Sequence, residues 1–272
     1  MNQKPTNSSG RESLFSKIVN LPKGTIQNRL LPAITFIILI ILWELVTKVA
    51  DLPVWLLPAP SDIVKSLVGR NDMFMHTWVT FYETILGFLL AILIGVPLAV
   101  LVNSSPLISN TIYPLILITQ SIPKVAFAPI LLIWVGYGIV PKIIIAFLVA
   151  FFPVVIDTAT GLNSPSPELI NLARQLNASK IQIYTKIRFP SALPHFFSGL
   201  KVAITLSVIG AVIGEFVGSD VGLGYIVIMA TSQFKTPLSF AAMLLLALMG
   251  IVLFFVIALI EKLSIPWYGR GE

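Results

Sequence analysis

The sequence predicts an all-α polytopic membrane protein with about six transmembrane helices and both termini cytoplasmic. Three observations carry that prediction. The 272 residues are 56% hydrophobic and only 11% charged, whereas a soluble domain of this length is about a quarter charged. Mean hydropathy is +0.93. Six stretches also reach or approach the roughly 20 apolar residues needed to cross hydrocarbon.

Those stretches are 30–49, 80–102, 112–134, 139–156, 196–217 and 238–260. The third is the least regular, because Pro123, Lys124 and Pro129 fall inside it. Connections are short except at 51–79 and 158–195. Lys and Arg are enriched in cytoplasmic loops, and their distribution orients the chain. With the N-terminus inside, that side carries twelve: Lys4, Arg11, Lys17, Lys23, Arg29, Arg174, Lys180, Lys186, Arg188, Lys201, Lys262 and Arg270. The other side carries five: Lys48, Lys65, Arg70, Lys142 and Lys235. Twelve against five places both termini and the 158–195 segment in the cytoplasm. The chain therefore divides into a tail at 1–29, a transmembrane body at 30–267 and a tail at 268–272.

The net charge of +6 falls in tails and connections, so it reads as topology and not as nucleic-acid binding. The absence of Cys excludes a disulfide framework and a Cys-based zinc site. With only His76 and His195 present, no histidine metal cluster is expected. The start of the chain is polar and lacks a signal-peptide pattern. Within it, "SLFSKIVNL" puts Leu14, Phe15, Ile18 and Val19 on one helical face. A surface-lying helix and a mobile tail both remain open there. No internal repeat is visible, which argues against an inverted-repeat secondary transporter.

The most informative stretch is the polar insert before the fifth span. "SPSPELINLARQL" supplies Ser166 as N-cap, Pro167 at the first helical position and Glu168 in the first turn, where the helix dipole favours an anion. Leu169, Leu172, Ala173 and Leu176 then share a face. Asn177 tolerates the left-handed conformation that ends a helix. Ser179 and Gln182 form a capping box for a second helix carrying Ile181, Ile183, Tyr184 and Ile187, which Pro190 and Pro194 are expected to stop. From composition alone, a membrane-skimming connector and a docking knob are both open.

The spacing adds a resemblance. Asn171-Leu172-Ala173, a three-residue gap, Asn177, a nine-residue gap, Ile187, one residue and Phe189-Pro190 resembles the cytoplasmic loop signature of permease subunits of type I ABC importers. That pattern reads Glu-Ala-Ala, then Gly, then Ile and Leu-Pro at the same gaps. Asn171, Leu172, Asn177 and Phe189 depart from it in identity. "LPAPSDIV", "TFYETILGFLLAILIGVPLAVLV", "QSIPKVAFAPILLIWVGYG" and "GEFVGSDVGLGYIV" are similar, in that order, to the nitrate/sulfonate/taurine branch. That branch also includes carriers of pyrimidine vitamin precursors and riboflavin.

The resemblance implies a type I ABC importer permease fold in a bacterial cytoplasmic membrane. It implies two permease copies, paired as a homodimer, around a path. Two separate ATP-binding subunits would hold the ATP and Mg, and an extracytoplasmic binding protein would deliver the solute. The coupling surface would be Asn171, Leu172, Ala173, Leu176, Asn177, Ala178, Ser179, Ile181 and Ile187, with Pro190 setting the exit into the fifth span. Independently, no G-x-x-x-x-G-K-[S/T] phosphate loop occurs, so no cofactor is expected on this chain, and energy must come from elsewhere or not be used.

For the path, Pro123 and Pro129 remove backbone donors within the third span, which is tolerated only against protein or water. Lys124 reads either as an anion attractor or as a snorkelling side chain. Glu215 and Asp220 bracket a Gly-rich exit from the fifth span, open to reading as an outer gate and as a turn. Glu44 and Asp157, near span ends, are expected to be structural. Gly87, Gly95 and Gly210 suit close helix packing. The competing classes are a self-sufficient secondary transporter or channel, which needs more intramembrane ionisable groups, and an intramembrane enzyme, for which Ser207 and Ser232 lack a base.

Overall fold

The computed structural model describes residues 27–68 and 70–267. The amphipathic stretch at 14–19 and the C-terminal tail at 268–272 lie outside the described residues. Among the described residues every regular element is helical. The chain divides into two compact units, 1–61 and 62–272.

The first unit is built on α1 (Gln27–Val49), which begins three residues before the predicted span. Phe36, Ile41 and Leu45 are all more than half exposed, and an all-round apolar surface is what a helix facing lipid presents. Near its end the Glu44 carboxylate accepts hydrogen bonds from the Ser61 amide at 3.0 Å and the Ser61 hydroxyl at 2.8 Å. It also pairs with Lys48 at 2.5 Å. Glu44 is thus structural, as its place near a span end suggested.

In the second unit, α2 (Pro60–Leu67) leads to α3 (Asp72–Ser104). At 1.5 Å per residue, α3 is about 50 Å long. The predicted span 80–102 is therefore the apolar middle of a helix that overshoots the hydrocarbon. The predicted span 112–134 is not one straight helix. It is α4 (Pro106–Gln120), a 3₁₀ turn at Lys124–Ala126 and α5 (Phe127–Val135), with a bend of 74° across the break. Pro123 caps the 3₁₀ turn in extended conformation, which removes the donor that a continuous helix would need.

α6 (Ile139–Leu162) is the centre of the unit and packs chiefly against α3 and the later helix α8 (Lys180–Gly218). Ala146 is the crossing point. A Cβ built on Gly87 of α3 lands on the Ala146 Cβ, and one built on Gly210 falls 2.6 Å from the Ala146 Cα. Two helices thus approach α6 from different sides with no side chain between backbones, the use of small residues expected in a membrane. Gly95 makes room for side chains instead, since a Cβ there would press on Val154 and Val155 at 3.0–3.3 Å. Around this contact Phe88, Ala150, Val154, Phe197, Leu200 and Ile204 form the main core.

A short α7 (Pro167–Gln175) precedes α8, a continuous 39-residue helix over Lys180–Gly218. Here the expectation that Pro190 and Pro194 stop the second insert helix is corrected. A π-helical turn at Tyr184–Arg188 immediately precedes Pro190. Its wider i→i+5 bonding accommodates the missing Pro190 donor, so the chain runs straight into the fifth span. A turn then leads to α9 (Leu223–Ser232) and α10 (Thr236–Ser264).

Candidate functional site

The 163–179 segment folds as its residue types dictate. The Ser166 hydroxyl accepts from the Leu169 amide at 3.3 Å, and Pro167 starts α7. Hydrogen bonds to its own backbone and to Ser166 hold the Glu168 carboxyl below the usual carboxylate range. At the far end Asn177 has φ +54°. The Ala178 amide donates to the Ala173 carbonyl and the Asn177 amide to the Arg174 carbonyl, both at 3.0 Å. That pair of bonds is a complete Schellman stop. Ser179 and Gln182 exchange side-chain-to-amide bonds of 3.2 and 2.8 Å, the capping box that opens α8.

The Schellman geometry makes a prediction. Asn177→Gly is expected to be neutral or stabilising, whereas Asn177→Val is expected to cost about 1–2 kcal/mol, because a β-branched residue resists the left-handed region. Unfolding midpoints of the purified chain would rank the three. Equal midpoints for Val and Gly would mean that the stop does not depend on position 177.

The segment buries little of its apolar surface. Ile170 and Ile183 turn inward, but Leu172, Leu176 and Ile181 are 52%, 74% and 75% exposed. Asn171 and Ser179 are exposed too, Ala173, Ala178, Ile187 and Pro190 are half-buried, and Asn177 stands at the tip. Two capped helix ends thus hold a rigid knob with leucine and isoleucine outward.

The predicted path residues divide between the helix break and the opposite end of α8. Pro123 and Pro129 are exposed at the break. Lys124 is half-buried there; its Nζ donates to the Gln120 carbonyl and lies 4.5 Å from the centre of the Phe152 ring, a cation–π arrangement. Glu215 is 1% exposed. Its carboxylate accepts from the Thr80 hydroxyl at 2.6 Å and the Gly224 amide at 2.5 Å. Asp220, by contrast, is exposed in the turn after α8.

The Glu215 contacts belong to a polar cluster that sequence reasoning did not assemble. Thr80 also accepts from the Leu223 amide at 2.8 Å, and His76 Nδ1 accepts from the Gly222 amide at 3.0 Å. An accepting Nδ1 carries no proton, which fixes the tautomer. Gly222 has φ +115°, and a Cβ there would strike the Glu215 carboxylate, so only glycine serves. Beside it, Lys142 of α6 pairs with Glu83 of α3 at 2.5 Å and meets the Ser219 hydroxyl at 3.0 Å. Both members of the ion pair are buried. Three residues from α3, one from α6 and Glu215 of α8 thus stitch the 219–224 turn to the bundle. The readable signal was Glu83 itself, since an acid inside an apolar run demands a partner.

Ser207 donates to the Thr84 carbonyl at 2.8 Å and Ser232 to the Met229 carbonyl at 2.9 Å. Each hydroxyl is engaged with backbone, with no base in these bonds. Among the described residues no group of three His, Cys, Asp or Glu is placed to hold a metal.

Among the described residues, five long apolar helices and one bent pair, with a capped knob between two of them, define a multi-pass membrane protein. The chain belongs to the family described as binding-protein-dependent transport system inner membrane component, whose model matches residues 87–270. A Haemophilus influenzae chain named "Probable ABC transporter permease protein" is 37% identical over 80% of this chain and 89% of its own length. The formylaminopyrimidine transport permease protein ThiX of Halalkalibacterium halodurans is 35% identical over 87% and 95%. The inward-facing methionine ABC transporter MetNI superposes with a TM-score of 0.61 at 22% identity, over 70% of this chain and 94% of that one, which bears out the type I importer permease fold. Permeases named for aliphatic sulfonates, taurine and nitrate are also similar, so the branch read from the sequence holds.

Proposed function

We propose that this chain forms the translocation path of an ATP-driven importer and that the 163–187 knob couples it to a separate ATPase. The observation that carries the reading is the exposed face of Leu172, Leu176 and Ile181 on a segment locked by a Schellman stop and a capping box. A connector has no need of rigid, outward leucines, whereas a partner groove does. In this reading the knob lies in the cytoplasm, two copies of the chain pair as a homodimer, and two ATPase subunits carry ATP and Mg. A binding protein delivers solute from outside.

The positive-inside count still supports that orientation. Lys142 is buried in α6 and Lys201 lies within α8, paired with Glu261, so neither is a loop charge and the contrast becomes eleven against four. The relative named for formylaminopyrimidine shares 35% identity, against 29% for sulfonates and 25% for taurine. A pyrimidine vitamin precursor is therefore the first solute to test, with small anions second. Lys124 is engaged by Gln120 and Phe152, which weakens the anion reading.

Co-expression with the companion ATPase tests the coupling. The wild-type chain is expected to retain the ATPase through affinity purification. Ile181→Glu and Ala178→Glu are each expected to lower retention at least tenfold while membrane insertion is unchanged. Uptake by the reconstituted chain alone, without ATP or partner, would favour the self-sufficient transporter instead.

A further inference from the structure

Between the α3–α4 turn and the knob lies a cleft of about 940 Å³. We infer that it is a binding site for a phosphate-bearing anion. Arg174, Lys180 and Arg188 line it together with the amides of Asn103, Asn110 and Asn163, and no Asp or Glu borders it. Arg174 and Lys180 are exposed and form no ion pair among the described residues.

Arg188 is held in place. Its Nη1 donates to Asn103 Oδ1 at 2.6 Å, while Asn103 Nδ2 donates to the Ala159 carbonyl at 3.2 Å. One guanidinium nitrogen is thus anchored, and the remaining donors are positioned without further ordering cost. The Tyr184 side chain also borders the cleft, and its hydroxyl is shielded from solvent with no hydrogen-bond partner. Three cations and neutral amides, with no acid to compensate, match a phosphate group, whose oxygens accept from such donors.

Leu101 and Leu107, close in sequence to the lining residues Val100 and Ser105, are 49% and 77% exposed, as apolar helix faces turned to lipid are. The phosphate can therefore come from an anionic lipid headgroup or from solution. Basic pockets between helices take such headgroups.

The full chain in nanodiscs distinguishes the sources. In one arm, native mass spectrometry counts phosphatidylglycerol retained over phosphatidylcholine. In the other, inorganic phosphate is titrated into phosphatidylcholine discs and thermal stabilisation is read. Wild type is expected to respond in at least one arm. In Arg174→Gln/Lys180→Gln the response is expected to fall roughly fivefold for each cation removed. Lys186→Gln, an exposed cation outside the cleft, is expected to leave it unchanged.

A wild-type-like elution volume verifies folding of the double variant, and Lys180→Gln alone carries the comparison should the double variant not fold. An equal loss in Lys186→Gln would reduce the effect to general surface charge and overturn the site. So would indifference to both probes. Loss of ATPase retention in the double variant with neither probe affected would assign the cations to partner carboxylates, which also overturns it. The wild-type response to either probe is independent of whether an ATPase docks on the knob.

Discussion

Lys142→Met is expected to destabilise the chain by about 3–5 kcal/mol, the cost of leaving a buried charge without its counterion. The pair it breaks is unusually exposed to such a test, because both side chains are almost completely shielded. Glu83 would remain buried on α3 near the Glu215 carboxylate with its cation gone, and the Ser219 hydroxyl would lose its amine contact. Replacing both members, as Glu83→Gln/Lys142→Met, is expected to recover most of the loss. Removing a matched pair also removes the desolvation cost that each ion carried. Unfolding midpoints in detergent, compared for the wild type, both single variants and the double variant, give the coupling directly. A single variant that melts with the wild type would show that the ion pair contributes nothing to stability.

The second large effect concerns the crossing at Ala146. Gly87→Ala and Gly210→Ala are each expected to cost about 1–3 kcal/mol, the usual range for forcing atoms into a filled interior. Their responses to a second change should differ. The methyl added at Gly87 collides first with the Ala146 Cβ, so Ala146→Gly should recover part of that loss. The methyl added at Gly210 lies 2.6 Å from the Ala146 Cα, which no substitution at 146 removes. A double-mutant cycle on each pair reads this asymmetry. Identical coupling energies would mean that the helices shift apart as bodies and the local contacts do not decide the cost.

These two sites also mark where sequence reasoning reaches and where it stops. Gly87 and Gly210 are recognisable as packing positions because small residues in an apolar helix have few other uses. Ser166, Asn177, Ser179 and Gln182 are legible for a related reason: each acts within a few residues of itself, and residue type decides the geometry. The spans are legible from hydropathy, and the bend in the third from its prolines. Lys142 and Glu83 are far apart in sequence, and nothing local to either names the other. Pro190 and Pro194 mislead because a proline usually ends a helix, and the π turn that absorbs Pro190 has no signature in residue type. Glu215 is visible as an acid beside glycines. That Thr80 and Gly224 claim its carboxylate follows only from three dimensions.

The unbroken run of α8 has a mechanical corollary. From Ser179 to Glu215 the helix covers about 55 Å and stays helical through the π turn and Pro194. Such an element behaves as a strut. A tug applied at the capping box reaches the stitched turn on the far side as tilt or twist, with no slack in between to absorb it. Any yielding must therefore be found elsewhere, and the bent junction between α4 and α5 is the place in the bundle where the backbone is already broken.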